Sequence, residues 1–189
     1  MNGRRRNPRY HVSQAFEGVL QTLLDVVVES RDGPYLVALS DAALRTGLSL
    51  LLDVFVGPNR CTLPVTVAES SPVIQAGLVR YRLRLATVGS CHEVDRDGLL
   101  VIETPVRVLD MSQNGVLLEA SRQSAAGTAG VLRVAVNGRG YEGEIRVVRC
   151  SRLEGAAERH HMGAECLRTR RVPHGSPLRD AFCAMLKTA

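Results

Sequence analysis

The 189-residue sequence has no tryptophan, three phenylalanines and four tyrosines. A stacking platform for single-stranded nucleic acid is therefore poorly supplied. Lysine is nearly missing too: of 24 basic residues only Lys187 is not arginine. No run approaches the ~18 apolar residues of a membrane-spanning helix. No signal-type apolar core and cleavage site follow the basic N-terminus. The five cysteines, Cys61, Cys91, Cys150, Cys166 and Cys183, are odd in number and include no CxxC pair, which excludes a disulfide framework or zinc ribbon on spacing. Cys150, His160, His161 and Cys166 fit no standard zinc pattern, so no metal is expected. P-loop, dinucleotide and nucleophile-elbow patterns are missing as well, so no enzyme class is suggested. A reduced, cytoplasmic compartment is the simplest expectation.

What remains is ordinary in bulk: 45% hydrophobic, 23% charged, net charge +5, within the range of soluble globular proteins. Apolar runs are short, rich in valine, and separated by glycine, proline or asparagine. That spacing predicts an all-β sandwich or barrel. "LRVAVNGRGYEGEIRVV" is the clearest hairpin, with Asn137-Gly138 as its turn. "QTLLDVVVE" is compatible with a strand or a short helix. The tail "SPLRDAFCAMLKTA" predicts a helix capped by Ser176, with Pro177 in its first turn and Leu178, Phe182 and Met185 on one face.

An internal repeat is also visible. Leu52, Val54 and Val56 align with Leu132, Val134 and Val136, and Val65 and Val67 with Ile145 and Val147. Upstream, "LVALSDAAL" aligns with "RVLDMSQNGV" at an offset eight residues shorter, which sets Ser40 on Ser112, Ala38 on Asp110 and Ala43 on Gly115. On this alignment "SRQSAAGTAG" absorbs the difference as a longer loop.

The stretch "PVRVLDMSQNGVLLEA" places Asp110, Ser112 and Gly115 between two apolar alternations. A turn with side-chain hydrogen bonds accounts for such residues. A second feature is the arginine arm "RRRNPRY", with Arg5 and Arg9 four apart and Arg4 and Arg6 beside Arg5. Together, Arg5-x-x-x-Arg9 and Asp110-x-Ser112-x-x-Gly115 resemble the two signatures of the PilZ domain. The resemblance covers residues 105 to 167 best, through "GVLLEA", "YEGEIRVVRCS" and "HHMGAECL". It implies a mainly β chain of PilZ-like six-stranded β-barrels, of the split-barrel type, with a C-terminal helix. It further implies a non-enzymatic receptor for cyclic di-GMP, needing no cofactor, with Arg5, Arg6, Arg9, Asp110, Ser112 and Gly115 as ligand residues. The residues suit that ligand. Guanidinium groups grip phosphate and the guanine acceptor edge and stack on bases. A carboxylate accepts from guanine N–H groups, and a hydroxyl donates or accepts.

One departure concerns spacing. Arg9 lies 101 residues before Asp110, whereas the family's arginines closely precede the first strand of the same barrel. Either a degenerate PilZ-like or other small β domain over 1–90 carries the arm and 91–189 is the PilZ domain, or Arg80 and Arg84 of "RYRLR" form the alternative arginine pair. The expected function is transmission of the nucleotide signal by rearrangement, with a protein partner in motility, surface or biofilm regulation. One alternative is an adaptor of the same fold that binds no nucleotide. The other is a nucleic-acid binder using the arginine arm, with salt-steep affinity.

Overall fold

The computed structural model describes residues 10–56, 59–88, 95–112, 114–153, 158–167, 176–178, 180, 181 and 183. They form eleven strands: β1 (Tyr10–Asp32), β2 (Tyr35–Ser40), β3 (Ser49–Val56), β4 (Asn59–Gln75), β5 (Leu78–Thr87), β6 (Asp97–Ser112), β7 (Gly115–Ala120), β8 (Ala129–Val136), β9 (Arg139–Arg152), β10 (His160–Cys166) and β11 (Ser176–Pro177). The chain is mainly β, as expected. "QTLLDVVVE" lies within β1, where Val26 and Val28 are buried; its consecutive β-branched side chains suit extended backbone. The Asn137-Gly138 turn also forms as read, with φ of 52° and 73° closing the Val136–Arg139 pair. Of the expected C-terminal helix, the described residues Leu178, Asp180, Ala181 and Cys183 are helical. Its start is a correction, since Ser176–Pro177, expected as its cap and first position, instead pairs in parallel with Tyr141 and Glu142 of β9.

The chain divides into two compact units, one contiguous (Leu23–Ile102) and one split (Met1–Thr22 with Glu103–Ala189). The boundary expected between residues 90 and 91 lies in 89–94, outside the described residues.

In the contiguous unit six strand segments follow the order β6–β3–β4–β5–β2–β1, using residues 97–102 of β6 and 23–32 of β1. The Val28 amide donates to the Arg96 carbonyl at 2.6 Å. Leu36, Leu52, Val67, Leu83, Leu85 and Leu100 fill the core. In the split unit the order is β1–β8–β9–β10–β7–β6, using residues 10–22 of β1 and 103–112 of β6. Its core holds Leu20, Val108, Met111, Leu118, Leu132, Ile145 and Met162. β6 also pairs with β1, which closes the strand order into a ring. Burying each such side chain contributes roughly 1.5–3 kcal/mol, so each unit carries its own hydrophobic drive.

The two units share one pairing scheme and one register. Asp32 faces Tyr35 as Ser112 faces Gly115. Leu52 faces Leu63 as Leu132 faces Gly143. Leu51 faces Val101 as Val131 faces Gln21. The bulge between Val28 and Ser30 recurs between Val108 and Asp110. Gly47 donates to Val67 and Gly127 to Val147 at the same bend, at 2.7 and 2.8 Å. Each of these correspondences is a shift of eighty residues, and only β5 and β10 differ, by one. The repeat read at Leu52 and Leu132 is therefore in register, but its upstream half is corrected. Ser30, Asp32 and Tyr35 are the counterparts of Asp110, Ser112 and Gly115. "SDAALRTGL" already forms the bend that "SRQSAAGTAG" forms, so no longer loop exists to absorb a shift.

Two strands link the copies. β1 is the outermost segment of the split unit's strand order up to residue 22 and enters the contiguous unit from 23. β6 completes the contiguous unit up to 102 and enters the split unit from 103.

Candidate functional site

On β6 of the split unit, Val106 and Val108 point into the core. Simple alternation would send residue 110 inward as well. The bulge between Val108 and Asp110 adds one residue, so Met111 becomes the buried position, at 1% exposure, and Asp110 turns to the outer side. Bulges re-aim side chains in this way. Asp110 is thereby half-buried at the surface. Two residues on, the Ser112 hydroxyl donates to the Gly115 carbonyl at 3.2 Å across the hairpin turn. A Cβ on Gly115 would lie 2.9 Å from the Ala164 carbonyl oxygen. Close approach of β10, rather than a left-handed backbone, is what requires glycine here.

Paired residues on neighbouring strands present side chains to the same side of a sheet. Two rows therefore run outward from the motif. One is Ser112, Gly115, Glu165 and Arg146, with Arg146 paired to Glu165 at 3.3 Å. The other is Asp110, Leu117, Gly163 and Arg149. Arg149 lies across Gly163: a Cβ there would meet its Nε at 3.0 Å and its Cγ at 3.1 Å. This face combines a carboxylate, a hydroxyl, two positions without side chains and an exposed guanidinium. Such a set can hold a flat, polar, anionic molecule.

Arg5, Arg6 and Arg9 lie outside the described residues. The strand that Arg9 precedes is residues 10–22 of β1, in the same unit as Asp110, Ser112 and Gly115. The eighty residues of the contiguous unit stand between that strand and residues 103–112 of β6. Arg80 and Arg84 sit on β5 of the contiguous unit and are engaged there. Arg80 pairs with Asp41 at 2.8 Å. Arg84 pairs with Asp32 at 3.2 Å and Glu69 at 3.8 Å.

Arg149 and Gly163 escape a reading of the sequence. "RVVRC" gives no cue that a second bulge, opposite Gly163–Ala164, turns Arg149 outward. Among the described residues, no group of three or more His, Cys, Asp or Glu side chains is placed to hold a metal ion. A cleft of about 480 Å³ over β1, β8 and β9 is lined by Gly18, Arg133, Tyr141 and Glu142 and includes none of the motif residues. No helix among the described residues is long and apolar enough to cross a membrane.

No family model matches the chain, and no curated protein matches it. Among the solved structures that resemble it are two of low identity. One is described as MrkH, a novel c-di-GMP dependence transcription regulatory factor: 10% identity, 88% of this chain and 83% of that one, TM-score 0.33. The other is the inhibitor of motility MotI/DgrA of Bacillus subtilis: 12% identity, 93% of this chain and 98% of that one, TM-score 0.33.

Proposed function

We propose that the chain is a cytoplasmic, non-enzymatic receptor for cyclic di-GMP, built from two PilZ-like barrels, with its ligand site on the split unit. The observation that carries this reading is that the strand following Arg9 and the Asp110–Gly115 hairpin belong to one unit. In the receptor, Arg5, Arg6 and Arg9 grip the phosphates and stack on guanine. Asp110 accepts from guanine N–H groups, Ser112 adds a polar contact, and Gly115 keeps the floor open. The contacts that ligand makes in one arrangement and not in another drive the output. Calorimetry with cyclic di-GMP tests the reading. Saturable binding is expected, weakened at least tenfold by Arg9→Ala and by Asp110→Ala and unchanged by Arg84→Ala. Absence of binding sinks the receptor; loss with Arg84→Ala but not Arg9→Ala moves the site to the other unit.

A second reading, a protein-binding adaptor of the same fold without nucleotide, is favoured by one observation. Ile74, Leu78 and Val79 are 82%, 67% and 62% exposed near the β4–β5 turn. Under that reading the calorimetry is flat and these three residues govern binding of a partner protein.

A further inference from the structure

The contiguous unit holds a counterpart of the proposed site, and its face is filled by the chain itself. Tyr35 stands where the split unit has Gly115. Arg84 stands where it has Gly163, and Glu69 where it has Arg149. The Arg84 guanidinium carbon lies 4.4 Å from the centre of the Tyr35 ring. The same guanidinium reaches Asp32 at 3.2 Å, the counterpart of Ser112. A flat ring, a guanidinium over its face and a carboxylate beside it therefore occupy this surface. Stacking of a guanidinium on an aromatic ring is favourable, most so when partly shielded from water.

In the split unit the ring and the guanidinium over it are both replaced by glycine. Gly115 and Gly163 are diagonal neighbours on β7 and β10, roughly 7–8 Å apart by strand geometry. Between the side chains of Leu117 and Glu165, which hold the other diagonal, they leave backbone as the floor, with Asp110 and Ser112 along one border. The cation has moved one strand over: Arg149 reaches back across Gly163. Arg146, in the neighbouring row, is tied to Glu165, whereas no acid pairs with Arg149 among the described residues.

Resting on the receptor reading, we infer that Arg149 covers a planar ring of the ligand against the Gly115–Gly163 floor. It reproduces with an external ring the stack that Arg84 makes with Tyr35. By the same logic Tyr35 and Arg84 close the contiguous unit to ligand, so each chain has one site. Arg149 is exposed, so its replacement leaves folding intact, checked by an unchanged thermal melt.

The test is titration of the full chain with cyclic di-GMP, comparing wild type, Arg149→Ala, Arg149→Lys and Asp110→Ala. Expected are one site per chain, about tenfold weaker binding for Arg149→Ala, and little recovery with lysine, which keeps the charge but lacks the plane. Wild-type affinity in Arg149→Ala alongside loss in Asp110→Ala overturns the inference and leaves the receptor standing. Two independent sites per chain overturn the closure of the contiguous unit. No binding by the wild type overturns the receptor reading, and the role of Arg149 falls with it.

Discussion

Gly18 and Gly98 are counterparts: Gly18 faces Val134 and Gly98 faces Val54, at one register position in the two units. A Cβ on Gly18 would lie 2.8 Å from both Val134 Cγ1 and the Arg133 carbonyl oxygen. On Gly98 the nearest atoms are side-chain carbons, at 3.1 Å from Leu52 and Val54. Overfilling a packed interior costs about 1–3 kcal/mol. Gly18→Ala should fall near the top of that range because a backbone carbonyl cannot step aside. Gly98→Ala should fall near the bottom. Denaturant unfolding of the two variants checks the order; equal losses would mean the carbonyl contact is immaterial.

The contiguous unit should fold alone. Residues 23–102 include all six of its strand segments and a core separate from that of the other unit. The expected result is a β-type circular dichroism spectrum and a cooperative melt. Residues 103–189 lack the partner of β8, which is residues 18–22 of β1. That fragment should stay poorly ordered until a peptide spanning 10–22 is added, and dispersed amide NMR signals should then appear.

Glu142 is buried at 5% exposure, and the Arg133 Nε donates to its carboxylate at 2.8 Å. Arg133 also donates to Gln21 at 3.3 Å. Removing one partner of a buried pair leaves an unmatched charge. Arg133 is 43% exposed, so water softens the loss. Arg133→Met should cost about 1–3 kcal/mol, measured by denaturant unfolding. Adding Glu142→Gln should recover part of it, and failure to do so would count against the unmatched charge as the cause.

The Thr62 hydroxyl, and after it the Arg60 guanidinium, hold the Asp53 carboxyl below its ordinary value against the opposing effect of burial. A carboxyl lowered on folding adds stability above its unfolded pKa of about 4. That stability is lost as pH falls through the lower folded value. Thr62→Val removes the largest cause. Its melting temperature should therefore fall less steeply below pH 4 than that of the wild type. Parallel pH profiles would contradict this assignment.

Much of the fold was legible because strand patterning is local. Valine-rich runs, the Asn137-Gly138 turn and the motif at Asp110 are each read within a few residues. The register of the repeat was only half legible, for a physical reason. Side chains alternate with period two, so any even displacement sets apolar on apolar. Offsets of 72 and 80 are equally good by that measure, and the smaller one set Ser40 on Ser112. Hydrogen bonding separates them, through the bulges at Val28 and Val108 and the bends at Gly47 and Gly127. The outer face around Asp110 was less legible still. Arg149 joins Asp110 only through three successive strand pairings, which no spacing in the chain announces. The splitting of one unit around the other likewise hides that residues 10–22 of β1 and the Asp110 hairpin share a unit.

The passage of β1 and β6 between the units bears on the order of events during synthesis. By the time residue 102 has left the ribosome, every strand of the contiguous unit is available. Residues 18–22 of β1 emerge before that unit, yet their partners on β8 are residues 130–134. The opening segment must therefore wait while an entire unit assembles behind it, and more than a hundred residues pass before its ladder can close. During that wait it presents an unpaired edge, the element most open to chaperone capture or to pairing with another nascent chain.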